Sequence, residues 1–161
     1  MSNVRTETDS LGDTLSDIRR WFFDDYLPTW VAAGAGPIGD PKLVLAYWGV
    51  PLHAASVNMH RWLMTDQEVL GLLDANQAPL RAAKYTHTQV LDQRIVVYNK
   101  AAGSVDVIWS RRRADESEIE RRAVHFELRH DGPGWRIIAL ASALTEHTTL
   151  ARVWRAAPAL A

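Results

Sequence analysis

Two side chains in this sequence combine acid–base chemistry with a position inside an extended segment. His60 lies in the apolar and polar alternation of residues 56–63, and its imidazole titrates near neutral pH, so it could shuttle a proton. Asp106 lies among valines and a tryptophan in residues 104–112, where aspartate is disfavoured. A buried carboxyl has a raised pKa unless a cation pairs with it, and it could then act as a base or an acid. His60 and Asp106 are therefore our candidate catalytic residues.

Each candidate also has a structural interpretation. His60 could be hydrogen-bonded in place at the surface of a strand. Asp106 could lie on the solvent side of its strand, opposite Arg94 or Arg121. The residue pattern alone leaves both interpretations open.

His125 is a third ionisable side chain in an alternating segment. His125 and Glu127 share one face of that segment, whereas Val124, Phe126 and Leu128 share the other. We expect the apolar face to point inward, which would place Phe126 on the wall of a cavity and His125 outside it.

Aromatic residues form the second group of candidates, because seven tryptophans is an unusual number for 161 residues. A buried phenol or indole needs a polar partner, and the same group could bond to a ligand oxygen. Any one of them could simply be core. As a group they predict a mostly apolar cavity with a few polar groups. With Phe126, the predicted ligand-binding residues are Tyr26, Tyr47, Trp48, Trp62 and Trp109.

Several kinds of site are not expected. The six histidines show no metal-ligand spacing and there is no cysteine, so neither a metal site nor a disulfide is predicted. No glycine-rich phosphate loop follows a strand, and we expect no cofactor. Arg111, Arg112 and Arg113 face acidic residues across a turn, which predicts a solvated hairpin. With a net charge of -1, we do not expect the chain to bind nucleic acid.

The length fits a single domain with its own core. We expect residues 1–12 to be a flexible arm, residues 13–149 to form the domain, and residues 150–161 to be a tail that could include a short helical turn. There is no apolar run long enough to span a bilayer and no signal-peptide pattern, so we expect a cytoplasmic protein without a membrane partner.

Helices are predicted in the first half of the chain. The first would be capped by Asp13 or Ser16 and would end near Tyr26, because Pro28 removes a backbone donor. A short apolar helix would follow Asp40 and Pro41. A third would begin at the capping box formed by Thr65 and Glu68 and be broken in two by Pro79.

The strands are predicted mainly in the second half. Residues 56–63 should form the first one. Residues 86–91 and 94–99 would be two strands, or one long strand kinked at Asp92. Further strands are expected at 104–112, 119–129 and 135–144, with turns at 114–117 and 131–134. This order of elements predicts an α+β fold in which three helices cover a strongly curved, mostly antiparallel sheet.

Four short motifs, in this order and spacing, resemble the SnoaL-like branch of the NTF2-like superfamily. They are YWGVP at 47–51, TDQE at 65–68, VDVIW at 105–109 and GWRI at 134–137. The resemblance covers residues 13–143 and implies a cone-shaped fold that dimerises through the outer face of its sheet. The superfamily includes ketosteroid isomerases, scytalone dehydratase and polyketide cyclases, so the fold implies no single reaction.

The catalytic patterns of these relatives match only in part. Tyr26 corresponds to the helical tyrosine of ketosteroid isomerase. Where that enzyme has a carboxylate on the first strand, this chain has Asn58 or His60, and the region of its second carboxylic acid is 124–126. The Arg-x-Asp motif of limonene epoxide hydrolase is absent, because no arginine lies two residues before Asp106.

These observations predict a protein that binds a small hydrophobic molecule in an apolar cone, without an assignable reaction. One alternative is a cofactor-independent isomerase, cyclase or lyase that acts on a polyketide-, terpenoid- or steroid-like substrate. In that alternative His60 or Asp106 moves a proton, and Tyr26 or Tyr47 polarises a carbonyl. The other alternative is a non-catalytic dimerisation module whose aromatic residues fill its interior. A homodimer through the sheet is expected in any case.

Overall fold

The chain begins with a long helical stretch, seen in a computed structural model that describes residues 4–36 and 40–159, with side chains from residue 11 onward. Helix α1 (Val4–Arg19) continues into a π-helical segment (Arg20–Tyr26) and then into α2 (Leu27–Ala35). Of the expected arm at 1–12, residues 1–3 lie outside the described residues, and α1 already begins at Val4.

Both predicted ends of the first helix are wrong. Ser16 does not cap it, because its hydroxyl donates to the carbonyl of Gly12 at 3.1 Å, within the helix. Nor does the helix end near Tyr26. Pro28 lies in the first turn of α2, where a missing backbone N–H is tolerated, and the π-helical segment leads directly into that turn.

Two further helices lie before the main part of the sheet. The short α3 (Lys42–Leu45) follows Asp40, whose carboxylate accepts the backbone N–H of Lys42 at 3.0 Å. Helix α4 (Asp66–Ala82) begins at the predicted capping box, which is confirmed: Thr65 Oγ1 accepts the N–H of Glu68, and Glu68 accepts the N–H of Thr65. The predicted break at Pro79 is wrong, because α4 continues through it to Ala82.

Six strands form one curved sheet in the order β2-β1-β6-β5-β4-β3. Only β1 and β6 pair in parallel; the other neighbours are antiparallel. The α+β fold with a mostly antiparallel sheet is thus confirmed. The strands are β1 (Trp48–Ser56), β2 (Met59–Leu63), β3 (His87–Asn99), β4 (Ala102–Arg112), β5 (Glu118–Asp131) and β6 (Gly134–Leu144).

The start of the sheet differs from the prediction. Residues 56–63 are not one strand: Val57 and Asn58 form a turn between β1 and β2. The sequence predicts no strand at residues 48–55, where Gly49 and Pro51 are expected to stop the short helix that precedes them. In the structure, Pro51 falls in the irregular stretch where the pairing of β1 with β6 shifts between Trp48 and His53, so its missing donor breaks no regular ladder.

The remaining strands follow the prediction more closely. Residues 87–99 form one long strand with an irregularity between Val90 and Asp92, which agrees with the kinked alternative. The turns at 114–117 and 131–134 are confirmed. Asp92 Oδ2 accepts the N–H of Leu150 at 2.7 Å, and this bond ties the short helix α5 (Leu150–Val153) to the sheet.

The helices cover one side of the sheet, which we call the inner face; the opposite side is the outer face. Ile18, Phe22 and Tyr26 are buried on the helical side. Ile18 packs directly on the backbone of β4 at Gly103, where an added Cβ would lie 2.9 Å from Ile18 Cδ1 and 2.7 Å from the carbonyl oxygen of Val96. Only glycine allows α1 to come this close.

Within the described ranges, no helix is both long and apolar enough to cross a membrane.

Candidate functional site

A cavity of about 330 Å3 lies between the helices and the inner face of the sheet. Helices α2 and α4 and the π-helical segment form one wall, and strands β1, β4, β5 and β6 form the other. The side chains that line the cavity include Tyr26, Trp30, Trp48, Ala75, Trp109, Arg111, Glu120, Arg122, Phe126 and Ser142.

Tyr26 and Trp48 form a hydrogen-bonded pair on the cavity wall. Trp48 Nε1 donates to the Tyr26 hydroxyl at 3.2 Å, and both side chains are buried. Burial raises the pKa of Tyr26 well above its ordinary value of 10.0, although the bond from Trp48 and the charge of Arg111 act in the opposite direction. Tyr26 is therefore a neutral phenol whose own hydrogen can be offered to an acceptor.

Phe126 and Trp109 form the aromatic floor of the cavity on neighbouring strands. Their ring centres are 5.7 Å apart, and Phe126 also packs edge-on against Phe22 from the helical side. This contact joins the helices to the floor, so the aromatic wall is continuous from helix to sheet.

Arg111 places a charged group in this aromatic wall. It is only 5% exposed, and its guanidinium carbon lies 4.0 Å from the ring centre of Trp30 and 4.9 Å from that of Trp109. Burial lowers the pKa of Arg111, and nearby Tyr85 and Glu120 oppose that shift. A guanidinium stays protonated in proteins, so the cavity wall carries a positive charge.

Glu120 is shared between two arginines. Its Oε1 accepts from Arg111 Nε at 3.1 Å, and its Oε2 lies 3.3 Å from Arg122 Nη2. Arg122 also donates to the Ser142 hydroxyl at 3.2 Å. The cavity is therefore lined by aromatic side chains together with an ionic cluster, and our expectation of a mostly apolar pocket is wrong.

The structure brings together four of the six predicted ligand-binding residues. Tyr26, Trp48, Trp109 and Phe126 all line the cavity. Tyr47 does not line it: its ring lies 5.7 Å from that of Tyr26, and its hydroxyl is 3.3 Å from Thr29 Oγ1.

Trp62 and His60 lie away from the cavity, on the outer face. Their rings flank His53, at centre distances of 4.8 Å for Trp62 and 4.9 Å for His60. Trp62 is 60% exposed and His60 is exposed as well. On β2 the inward positions belong to Met59 and Leu63, which pack into the core, so the alternation of the strand turns His60 and Trp62 outward.

Asp106 is also on the outer face, although it is buried. It lies opposite Arg94 on β3 and His125 on β5, and it accepts from Arg94 Nη2 at 2.7 Å. Its Oδ1 lies 2.6 Å from His125 Nδ1, while Glu127 Oε1 lies 2.7 Å from His125 Nε2. The pairing with Arg94 matches the structural interpretation of Asp106, and the outward direction of His125 agrees with the prediction.

The pKa shifts of this outer cluster follow from its contacts. Burial alone would raise the pKa of Asp106, but the bonds from His125 and Arg94 hold it below its ordinary value. The bond to Asp106 raises the pKa of His125 against the effect of burial, and Glu127 adds to the rise. The cluster is therefore an ionic network outside the cavity.

Sequence reasoning missed the charged residues of the cavity. The predicted solvated hairpin is wrong for Arg111, which is buried. The pattern that could have found it is the alternation of β4: Val105, Val107 and Trp109 point inward, so Arg111, two residues further on, does too.

Comparison with known proteins gives one match to a family model. Residues 16–145 match the model of the NTF2-like protein family DUF6841. Among curated proteins, none is significantly similar to the chain.

Solved structures share the fold at low sequence identity. One is an NTF2-like protein with a cystatin-like fold from Novosphingobium aromaticivorans, with a TM-score of 0.64, 16% identity and 95% of each chain covered. A ketosteroid isomerase-like protein from Erwinia carotovora atroseptica has a TM-score of 0.58 and 12% identity over 84% of this chain and 98% of that one. The yeast UBP3-associated protein BRE5 has a TM-score of 0.61 and 10% identity over 82% of this chain and 97% of that one.

Proposed function

We propose that this chain, which belongs to the NTF2-like protein family DUF6841, binds a small, partly apolar molecule in the cavity between its helices and its sheet. The observation that carries the proposal is the cavity itself. Its volume of about 330 Å3 falls within the roughly 300–1,000 Å3 typical of small-molecule sites.

The wall composition supports a ligand with an apolar body. Flat aromatic surfaces are provided by Trp30, Trp48, Trp109 and Phe126. An apolar ligand that covers these surfaces removes them from water, which favours binding. The Tyr26 hydroxyl accepts a hydrogen bond from Trp48, so its own O–H can donate to a ligand oxygen. A compact aromatic or alicyclic molecule with at least one oxygen atom fits this combination.

An acid–base enzyme is less well supported than a binding protein. His60 and Asp106, the residues that would move a proton, lie on the outer face. Glu120 is the carboxylate that lines the cavity, and two guanidinium groups engage it. The similarity to a ketosteroid isomerase-like protein is a similarity of fold at 12% identity. A module with a filled interior is also less well supported, because a cavity is present.

A variant that adds a bulky side chain to the cavity lining tests the proposal. Ala75 and Ala78 are both exposed alanines of α4, but only Ala75 lines the cavity. Wild type and the variants Ala75→Phe and Ala78→Phe would be titrated by calorimetry with a panel of naphthalene- and cinnamoyl-sized acids, amides and alcohols.

We expect wild type and Ala78→Phe to bind the same members with equal affinity and Ala75→Phe to bind them at least tenfold more weakly. The absence of any binder among the panel, or equal binding by Ala75→Phe and wild type, would contradict the proposal.

A further inference from the structure

The buried guanidinium of Arg111 has more donors than its surroundings accept. Its Nε bonds to Glu120, but its Nη1 is buried and has no hydrogen-bond acceptor among the residues that the structure describes. The neighbouring Tyr85 hydroxyl pairs with Thr88 Oγ1 at 2.5 Å and also interacts with the Arg111 guanidinium, but it makes no hydrogen bond to Nη1. A buried donor without an acceptor costs about 1–3 kcal/mol, and more when it is charged.

A second unpaired donor belongs to the same wall. The indole Nε1 of Trp109 is buried and also lacks an acceptor within the described part of the chain. Trp109 and Arg111 are two residues apart on β4, both line the cavity, and their side chains are in contact. Two orphaned N–H donors therefore share one wall of one cavity.

The charges of the lining residues also favour an anionic ligand. Among the described residues that line the cavity, Arg111 and Arg122 are cations and Glu120 is the single acidic side chain, which leaves an excess of one positive charge. Glu120 accepts from Arg111 through Nε and from Arg122 through Nη2, and it makes no hydrogen bond to Arg111 Nη1. A buried charge of this kind is stabilised when an anion pairs with it.

We infer that the ligand of the cavity is a carboxylic acid whose carboxylate accepts hydrogen bonds from Arg111 and Trp109 while its apolar body lies on the aromatic wall. This inference rests on the proposed function. A carboxylate carries one charge, which equals the excess, and its planar pair of oxygens matches the planar donors of a guanidinium. An aromatic or alicyclic monocarboxylate is therefore the predicted ligand class.

The test compares each acid with its neutral amide of nearly identical shape. Benzoate and benzamide, cinnamate and cinnamamide, and 2-naphthoate and 2-naphthamide would be titrated into wild type near neutral pH. The variants Arg111→Met and Arg111→Gln remove the cation, and the matched control Arg112→Met removes its neighbour, which bonds to Ser110 and the Glu116 carbonyl instead of lining the cavity.

We expect at least one acid to bind wild type and Arg112→Met tenfold or more tightly than its amide, and this preference to disappear in both Arg111 variants. Equal affinity of wild type for acid and amide would overturn the carboxylate inference and leave small-molecule binding intact. A preference that survives both Arg111 variants would overturn it too. If no acid or amide binds at all, the inference and the proposed function both fail.

Discussion

The guanidinium of Arg111 stacks on the indole of Trp30, with the guanidinium carbon 4.0 Å from the ring centre. The arrangement holds a charge at a place from which water is largely excluded, since Arg111 is 5% exposed. A cation on an aromatic face gains about 0.5–2 kcal/mol, whereas removing a charged group from water costs several kcal/mol. The ion pair with Glu120 offsets part of that cost, and we expect Arg111 to destabilise the unliganded fold overall, as residues retained for binding often do.

Replacing Arg111 by methionine should stabilise the protein without ligand. Methionine fills much of the same volume, and Glu120 keeps its contact with Arg122, so no charge is left without a partner. We expect the free energy of unfolding in urea to rise, because the guanidinium no longer has to be removed from water on folding. The control Arg112→Met loses the bonds to Ser110 and to the Glu116 carbonyl, and its free energy of unfolding should not rise. A clear loss of stability in Arg111→Met would contradict this interpretation of the cavity wall.

Gln77 offers a second test of the same physical argument. Its side chain is completely buried, and neither its amide nitrogen nor its oxygen has a hydrogen-bond partner in the described residues. Gln77→Met keeps the volume and removes both unsatisfied groups. The free energy of unfolding should therefore rise by about 1–3 kcal/mol, and the melting temperature should rise with it. Gln77→Ala should lower it, because it leaves a cavity. A methionine variant as unstable as the alanine variant would refute the prediction.

The outer cluster of Asp106, His125 and Glu127 should make stability depend on pH. The pKa of His125 in the folded state lies above its ordinary value of 6.5. The stability that His125 contributes to the fold is therefore complete below 6.5 and is lost as pH rises through the folded-state pKa. The pKa of Asp106 lies below 3.8, so its contribution is present above 3.8 and is lost as pH falls through the folded-state pKa. The cluster stabilises most between those two values.

The measurement is the difference in unfolding free energy between wild type and His125→Gln, from about pH 5 to about pH 9. We expect the difference to be largest at the acidic end and to shrink as pH rises. In an Asp106→Asn background the dependence should be much weaker, because the bond to Asp106 is the main cause of the raised pKa. A difference that grows with pH would contradict the upward pKa shift of His125.

The elements were predictable from the sequence where local chemistry determines them. Thr65 and Glu68 specify a helix start through two reciprocal bonds, and the glycine-containing turn at 131–134 specifies a hairpin. Pro28 and Pro79 were misleading, because each was expected to end or break a helix. The structure accommodates Pro28 in a first helical turn and Pro51 in an irregular stretch of pairing, and α4 continues through Pro79. Those outcomes depend on tertiary context.

The candidate site was predictable only for its aromatic part. Tyr26, Trp48, Trp109 and Phe126 were found because large aromatic residues have to be buried. Arg111 was missed because a run of three arginines facing acidic residues across a turn favours one solvated unit, whereas in the structure Arg111 is buried and Arg112 and Arg113 are half-buried. Trp62 was placed in the cavity with the other large aromatic residues, but Leu63 takes the buried position of β2 and the alternation turns Trp62 outward.

Dimerisation through the outer face remains a prediction, and Trp62 provides its test. Its exposed indole lies beside Val50 and Ile138, which are also exposed, and such a patch favours association. We expect equilibrium sedimentation to give twice the mass of one chain for wild type and a shift toward one chain for Trp62→Arg. The control is Val57→Arg, at a residue that is 95% exposed in the turn before β2 and should leave the mass unchanged. A wild-type monomer at micromolar concentration would refute the prediction.

The indole N–H signals of the seven tryptophans test the central claim most directly, because they report on both faces of the sheet at once. Each signal would be assigned with a Trp→Phe variant in a proton–nitrogen correlation spectrum and followed during a titration with 2-naphthoate. Our account predicts that the signals of Trp48 and Trp109 move and saturate together, whereas that of Trp62 stays in place. Movement confined to Trp62, or no movement of any indole signal, would contradict it.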